Sequence, residues 1–165
     1  MESLNKAFIS IETTGLNSSN DKIIEIAILK IDKNNLKSLF HHIINPEKDI
    51  DKNISNIIGY SNEELKKYPK INEINENFIN FINSSTLIGH NNDFIFGFLN
   101  KELNVEISNE KIDVFEIAKK KYPNENNSID SLKKKLNIIN NSTFSSSLNE
   151  ALELPKILDM MSLKN

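Results

Sequence analysis

Residues 8–16, FISIETTGL, place one carboxylate, Glu12, at the end of an alternating apolar segment and directly before a Thr-Thr-Gly turn. Successive side chains of a strand point to opposite faces, so Phe8, Ser10 and Glu12 share one face. The nearest neighbour of Glu12 on that face is therefore the neutral Ser10. Acid–base and metal chemistry need more than one such group, so the partner of Glu12 decides whether this chain is an enzyme.

Several other titratable residues are candidate partners for Glu12, and the sequence supports some of them better than others. Glu25 interrupts the apolar segment 22–32 and is a spare carboxylate, although a rim position or a hydrogen-bonded position explains it equally well. Asp93 and Asp113 stand where helices are expected to begin, which favours helix capping or complementing the helix dipole. His41 and His42 are adjacent in an expected strand and point to opposite faces, so they do not form a metal pair.

The elements that must position these residues follow from periodicity and turn residues. Alternating or apolar segments predict strands and residues with 3.6-residue spacing predict helices, while Asn34-Asn35 predicts a turn between the second and third strands. Strands joined by short turns, followed by strands alternating with helices, predict an α/β domain built on a mixed sheet. The expected strands include 8–12, 22–32, 36–46, 85–91 and 111–115, and the expected helices include 71–82, 94–103, 115–123, 128–138 and 145–161, the last kinked or split at Pro155.

Length and composition limit the function classes. The 165 residues suffice for one domain, 1–165, with a substantial core. All 20 of the Lys and Arg side chains are lysines, and the net charge is -3. The chain therefore lacks an excess of basic residues, and it lacks the arginine guanidinium group, which binds phosphate bidentately. Without cysteine it has no disulfide, thiolate zinc site or thiol nucleophile. No leader or membrane-spanning segment is evident, which predicts a cytoplasmic protein without a membrane partner.

Three motifs follow one another along the chain: ETTGL (12–16), HNNDFIFGFLNKEL (90–103) behind LIG, and SLNEAL (147–152), with supporting segments at 22–31, 59–82, 118–123 and 128–138. In these motifs and their order, the chain resembles the DEDDh (DnaQ-like) family of 3′-5′ exonucleases, which includes the proofreading epsilon subunits of DNA polymerase III. The resemblance covers nearly the whole chain and implies a ribonuclease H-like fold, a mixed five-stranded sheet with the first strand central and helices on both faces.

The family resemblance implies a two-metal reaction. Two divalent ions about 4 Å apart, Mg²⁺ or Mn²⁺, hold the water and the leaving oxygen of a phosphodiester, and four carboxylates hold the ions. A histidine acts as general base. Of these catalytic and metal positions, the resemblance leaves carboxylates only at Glu12 and Glu150. It assigns Ser10, Ile95 and Ser145 to the first aspartate, the second aspartate and the histidine.

The substitutions differ in their chemical consequences. Ser10 still offers an oxygen, and Glu150 keeps a charge one methylene further out than aspartate. Ile95 has no lone pair and would put an apolar side chain where a hard cation must sit. Ser145 cannot accept a proton near neutral pH, whereas histidine can. The expectation is that metal binding at Glu12 and Glu150 is weak or absent.

Substrate contacts are better preserved than the metal ligands. The resemblance makes Thr13, Thr14, Gly15 and Leu16 a turn whose backbone amides meet the terminal nucleotide, although a tight turn between strands explains the same residues. His90 and Asn91 match the family's His-Asn pair; for His90 we expect a structural hydrogen bond, and substrate binding is the alternative. The lysine runs 119–121 and 133–135 could follow a nucleic-acid backbone, but such runs are more often solvated helix faces.

Two function classes therefore stay open, with a third beside them. The first is an inactive exonuclease-fold domain that binds a single-stranded DNA or RNA 3′ end weakly, or a protein partner, and needs no cofactor. The second is a working Mg²⁺- or Mn²⁺-dependent 3′-5′ exonuclease with rearranged ligands. The third is a relic or artificial sequence that keeps only the fold. The chain ends at Asn165 after the third motif, so stable attachment to a polymerase is not expected, and the expected state is a monomer or a homodimer.

Overall fold

The computed structural model describes residues 5–139 and 144–163, and within them lie five strands and seven helices. The strands follow the expected positions to within a few residues, and the helix over 71–82 has the predicted bounds. The elements are β1 (Asn5–Thr13), β2 (Ile23–Ile31), β3 (Lys37–Ile43), α1 (Lys52–Ile58), α2 (Asn62–Leu65), α3 (Ile71–Ile82), β4 (Ser85–Gly89), α4 (Asn92–Leu103), β5 (Lys111–Asp113), α5 (Val114–Lys121), α6 (Ile129–Lys135) and α7 (Ser146–Leu163).

The five strands form one mixed sheet in the order β3-β2-β1-β4-β5. β1 pairs antiparallel with β2, and β2 pairs antiparallel with β3. β4 runs parallel to β1, and β5 runs parallel to β4. The predicted α/β fold, with an antiparallel meander and a central first strand, is therefore confirmed.

Each face of the sheet carries its own apolar core. One core joins Ile9 and Ile11 of β1 to α3 and α4, and α3 contributes Phe78 through its helical apolar stripe. The other joins Phe8 of β1 to α5, α6 and α7, with Leu154 among its buried residues. Because β1 lies between both cores, its even-numbered residues share the face that α7 covers.

Helix α7 differs from the expectation at Pro155. The helix runs unbroken from Ser146 to Leu163, so of the two expected outcomes the split at Pro155 was wrong, and the kink stays a prediction. Proline removes a backbone donor and costs a helix interior about 3 kcal/mol. Ala151, Leu154 and Ile157 are fully buried on either side of the proline, and this packing offsets that cost. Of the described helices, none combines the length and apolar character needed to cross a bilayer.

Candidate functional site

The candidate site lies where the end of β1 meets the first turns of α7. The hairpin register pairs Glu12 of β1 with Glu25 of β2, and Ser10 with Ala27. Helix α7 packs across both strands at this level, where Ala27 contacts Ala151. The side chains of β1, β2 and α7 that carry oxygen therefore converge on one face of the sheet.

Ser10 of β1 and Glu150 of α7 line the same cavity between these two elements. Ser10 is 4% exposed. Burial raises the pKa of Glu150 to about 7; the Ser10 hydroxyl opposes that shift, and the nearby charges of Glu12, Glu153 and Asp130 add to it. A large fraction of Glu150 is therefore protonated near neutral pH.

Glu12 and Ser146, in the first turn of α7, line a second cavity at the same interface. Burial raises the pKa of Glu12, the Ser146 hydroxyl lowers it, and the neighbouring charge of Glu25 raises it again. The direct neighbours of Glu12 are thus a hydroxyl and a second carboxylate, and Glu25 stands opposite it in the strand register.

Glu25 is hydrogen-bonded inside the protein, which is one of the two explanations that the sequence analysis offered for this residue. The residue is 2% exposed, and its Oε1 accepts a short hydrogen bond from Ser145 Oγ. The same Oε1 lies 2.7 Å from His41 Nε2. Ser145, at the position that the resemblance gives to the histidine base, thus contacts a carboxylate of the neighbouring strand. His42 instead packs its ring against Phe40, so the two histidines do diverge.

Ile95 of α4 forms the bottom, or floor, of the site. It is 3% exposed, and a Cβ on Gly89 would lie only 2.7 Å from Ile95 Cδ1. The isoleucine side chain therefore lies against the end of β4 and fills the space beside that glycine.

Two cavities adjoin these residues. The first, of about 330 Å³, brings together Ser10, Ile95 and Glu150 with aromatic side chains that include Phe94 and Phe115. The second, of about 410 Å³, is lined by Glu12, Glu25, Ile57, Ile58, Gly59, Tyr60, Phe144, Ser145 and Ser146. The site residues assigned by resemblance are thus divided between neighbouring cavities. Within residues 5–139 and 144–163, no group of three or more His, Cys, Asp or Glu side chains is arranged to hold a metal ion.

The turn after β1 is held by its own side chains. Thr13 Oγ1 donates to the carbonyl of Gly15 over 2.6 Å, and Thr14 Oγ1 donates to Asp21 Oδ1 over 3.2 Å while accepting from the Lys22 amide. A Cβ at Gly15 would meet the Asp21 carboxylate at 2.4 Å, which explains the glycine. Leu16 is 87% exposed, so it is available to a ligand.

The His-Asn pair follows β4 and is also tied to the protein. His90 Nε2 lies 2.7 Å from the carbonyl of Asn127, and its ring packs edge-on to Phe115. Burial lowers the pKa of His90, which favours a neutral ring that donates from Nε2. Asn91 has a left-handed backbone, with φ of 70°, and is exposed. His90 therefore has the structural hydrogen bond that the sequence analysis expected of it.

Asp113 caps two helices. Its carboxylate accepts from the amides of Asn91 at 3.0 Å and Asn92 at 2.7 Å, before and within the first turn of α4. It also accepts from the Phe115 amide at the start of α5, which confirms the expected capping role. Asp93 is exposed in the first turn of α4, where its charge complements the helix dipole.

The two lysine runs are largely engaged within the protein. Acidic side chains or backbone carbonyls take up most of their ammonium groups, which reduces the charge available to a phosphate backbone. The observed contacts are Lys119 with Glu116, Lys121 with the carbonyl of Met161, Lys133 with Glu153, and Lys135 with Glu125.

Sequence reasoning missed Ser146 and His41 as partners of the site carboxylates. The register of the antiparallel strands was the available signal, because β2–β3 pairing sets His41 opposite Ala27 on the face that carries Glu12 and Glu25. The contact of Ser146 depends on how α7 docks, and local patterns do not encode that docking.

Comparisons with known proteins show the family and the fold of the chain. The profile of the exonuclease (RNase_T) family matches residues 8–153. DNA polymerase III subunit epsilon from Buchnera aphidicola subsp. Baizongia pistaciae is 34% identical over 171 residues, covering 94% of this chain and 70% of that protein. The corresponding subunit from Buchnera aphidicola subsp. Schizaphis graminum is 36% identical over 135 residues, which cover 73% of this chain and 58% of that protein.

Among solved structures, the fold is similar to exonuclease X in complex with 5′ overhanging duplex DNA. The TM-score is 0.72 at 20% identity, and the match covers 96% of this chain and 92% of the other. At this identity the likeness concerns the fold alone. The chain spans 58% to 70% of the length of the two epsilon subunits, so those relatives contain further residues.

Proposed function

The chain belongs to the exonuclease (RNase_T) family, and from this premise we propose that it binds single-stranded DNA or RNA 3′ ends weakly and does not hydrolyse them. The family reaction uses divalent ions held by carboxylates. In this chain the resemblance leaves only Glu12 and Glu150 at those positions, so the proposal concerns a member whose chemistry has been lost.

The observation that carries the proposal is the burial of Ile95 in the floor of the site. Ile95 is packed beside Gly89 and stands at the position that the resemblance gives to a metal-binding aspartate. An isoleucine offers no electron pair to a cation, and a hard cation beside its methyl groups would lose part of its oxygen shell.

The state of the carboxylates also supports the proposal. Burial raises the pKa of Glu150 to about 7 and also raises the pKa of Glu12. Two divalent ions carry four positive charges, and this pair of acids offers at most two negative ones. The residues present therefore do not fit a pair of such ions.

Ligand binding would rest on the turn of residues 13–16 and on the exposed Asn91. Without metals, the acids of the site repel phosphate, and the lysine runs are mostly paired. We therefore expect feeble, strongly salt-dependent binding of single-stranded DNA. Fluorescence anisotropy with a labelled oligonucleotide measures it, and submicromolar affinity at physiological salt would contradict this expectation. Protein binding through the same surface is the alternative, and light scattering at micromolar concentration separates a monomer from a homodimer.

A second candidate function is a working exonuclease with rearranged ligands. One observation favours it: Glu25 is a buried carboxylate directly opposite Glu12, and it contacts both His41 and Ser145. This arrangement places an acid opposite Glu12 and an imidazole beside that acid. In that case Mg²⁺ or Mn²⁺ would be required, and Glu25 would be needed for activity.

A nuclease assay separates the two candidates. Release of 3′-terminal nucleotides from labelled single-stranded DNA is followed in Mg²⁺ and in Mn²⁺. We expect no release above background from the unmodified protein. Degradation that is abolished by both Glu12→Gln and Glu25→Gln would instead support the rearranged enzyme.

A restoration series tests the assignment of each position. Ser10→Asp alone should remain inactive, because Ile95 still occupies the second position. Ser10→Asp with Ile95→Asp should recover metal binding. The further change Ser145→His should recover turnover, because a general base contributes roughly 10² to 10⁴-fold and the parts act as a unit. Circular dichroism of each variant confirms folding, since Ile95→Asp puts a charge at a buried position.

A further inference from the structure

Side chains at the end of α4 attach that helix to the loop between β1 and β2. Lys101 Nζ donates to the carbonyl of Ser18 at 2.5 Å and to the carbonyl of Ser19 at 2.6 Å. Glu102 Oε1 accepts from the amide of Ile23, the first residue of β2, at 2.6 Å. Two consecutive residues of α4 thus bind the loop and the strand residue that follows it. We call Lys101 and Glu102 the α4 clamp.

We propose that the α4 clamp positions the turn of residues 13–16 relative to the cavity that contains Ile95. The inference rests on the proposed function, because that function assigns the ligand to this turn. Ile95 and Glu102 are seven residues apart, which is about two helical turns, so they lie on the same face of α4. One helix therefore carries both the floor of the site and the contacts that locate the turn.

The loop also has internal bonds and a second anchor. The amide of Asn17 donates to Asp21 Oδ2 at 3.0 Å, and the amide of Asp21 donates to the carbonyl of Asn17 at 2.7 Å, which sets the shape of the loop. Lys48 Nζ donates to the carbonyl of Asn20 at 3.0 Å and to Asp21 Oδ1 at 3.1 Å. Lys48 thus holds the loop from the segment after β3, and the α4 clamp holds it from the helix that carries Ile95.

The two members of the clamp act in different environments. The side chain of Glu102 is 4% exposed and Ile23 is fully buried, so the bond between them is shielded from water. Lys22 Nζ lies 3.7 Å from Glu102 Oε2 and partly compensates its charge. Lys101 is exposed, but its ammonium group binds two carbonyls at once, and hydrogen bonds from charged donors are roughly twice as strong as neutral ones. Lys101 can therefore be substituted without opening the core.

The turn that the clamp locates carries unused backbone donors. Within residues 5–139 and 144–163, the amides of Gly15 and Leu16 donate no hydrogen bond, and Leu16 is 87% exposed. A ligand oxygen can therefore reach these donors. Donors that are already held in place lose less conformational freedom when a ligand binds, so the clamp should increase the affinity of the turn for its ligand.

Nuclear magnetic resonance measures both the order of the turn and the binding of a ligand. The heteronuclear ¹⁵N NOE of Gly15 and Leu16 reports order, and chemical-shift titration with a single-stranded oligothymidine reports even feeble affinity. In Lys101→Met the NOE of both amides should fall, and oligonucleotide binding should weaken roughly fivefold. Lys101→Arg keeps a charged donor and should restore both values.

Lys37→Met is the matched control for the loss of charge. Lys37 lies on β3 at the end of the sheet that is remote from the turn, so its loss should leave the NOE of both turn amides unchanged and weaken binding less than Lys101→Met does. Glu102→Ala should act like Lys101→Met, and Glu102→Gln, which keeps an acceptor oxygen, should restore the ordered turn. If Glu102→Ala does not fold, Lys101→Met decides the test.

Unchanged NOE values together with unchanged affinity in Lys101→Met would overturn the proposal. Equal losses in Lys37→Met would overturn it as well, because the effect would then be one of charge alone. If the oligonucleotide shifts no resonance of the unmodified protein, the proposed function fails, and the NOE values still decide whether the clamp orders the turn.

Discussion

The turn and His-Asn region (residues 13–16 and 90–91) differs from the carboxylate region (Ser10, Glu12, Glu25 and Glu150) in where its polar groups find partners. In the first region most hydrogen bonds involve backbone groups, as at Thr13, Thr14 and His90. In the second region the observed bonds join side chains: Glu25 accepts from Ser145 and lies 2.7 Å from His41 Nε2. The first set of bonds holds turns and loops, whereas the second joins side chains of different elements.

This difference between the two regions shows which motif residues carry information about catalytic activity. Gly15 is required by the Asp21 carboxylate beside it, and His90 secures the loop that carries Asn127. These residues retain the family pattern for reasons that the fold alone supplies. The departures fall at Ser10, Ile95 and Ser145, where the resemblance assigns purely chemical roles. A preserved ETTGL or His-Asn motif is therefore no measure of catalysis in this chain.

The largest effect should come from Asp113, which supports the His-Asn region. Asp113→Ala removes three carboxylate bonds to the amides of Asn91, Asn92 and Phe115. Loss of a shared cap with charge-assisted bonds should lower the free energy of unfolding by roughly 4 kcal/mol, as measured by urea denaturation.

Asp93→Ala is the matched control for Asp113. Asp93 is exposed in the same first turn and contributes through the helix dipole, so its loss should cost below about 1 kcal/mol. An equal loss of free energy of unfolding in the two variants would show that the His-Asn region is not held by its backbone hydrogen bonds. The contrast between the two regions would then be contradicted.

In the carboxylate region, removal of a charged side chain should stabilise the protein instead of destabilising it. Burial raises the pKa of Glu150 from 4.5 to about 7, so the folded protein binds this proton more tightly than the unfolded chain. Stability from Glu150 is therefore fully present below pH 4.5 and is lost as the pH rises to about 7. Glu150→Gln should raise the free energy of unfolding at pH 8 by about 3 kcal/mol and change it little at pH 4.

Urea denaturation at several pH values checks the Glu150 prediction. Glu153→Gln is the comparison variant, because Glu153 lies one turn away and pairs with Lys133 at 2.9 Å. The Glu153→Gln variant should not have a higher free energy of unfolding than the unmodified protein at pH 8. A destabilised Glu150→Gln variant at pH 8 would mean that ionised Glu150 is favoured in the folded state, as expected of a metal ligand.

Gly89 joins the two regions, and substituting it should have an intermediate effect. A Cβ at Gly89 would lie 2.5 Å from Asn92 Oδ1 and 2.7 Å from Ile95 Cδ1. Gly89→Ala should therefore cost about 2 kcal/mol through overpacking. Ile95→Val removes Cδ1, so the double variant should cost less than the sum of the single variants in thermal unfolding. Strict additivity would show that Ile95 does not fill the space beside Gly89.

The smallest effect should come from Thr14. Thr14→Val keeps the shape and removes the hydroxyl that bonds Asp21 and the Lys22 amide, which should cost about 1 kcal/mol. Thr14→Ser keeps the hydroxyl and should retain the Lys22 bond. Chemical denaturation compares the two variants, and a Val variant as stable as the Ser variant would remove the structural reason for this threonine.

The sequence predicted the fold better than it predicted the site. Period-two and 3.6-residue patterns are local, so β2 and the stripe of Ile74, Phe78 and Ile82 in α3 were predictable. The pairs of the site depend on register and docking, which bring Ser145 to Glu25 across 120 positions of the chain. The unbroken α7 likewise depends on tertiary packing around Pro155, which local propensity does not include.

Direct measurement of metal binding tests the central claim, that Glu12 and Glu150 no longer form a two-metal centre. Electron paramagnetic resonance of free Mn²⁺ reports how much of the ion the protein removes from solution. The account predicts no saturable binding by the unmodified protein at submillimolar Mn²⁺, and binding by the Ser10→Asp/Ile95→Asp variant. Two ions bound per unmodified chain, both lost in Glu12→Gln, would contradict it.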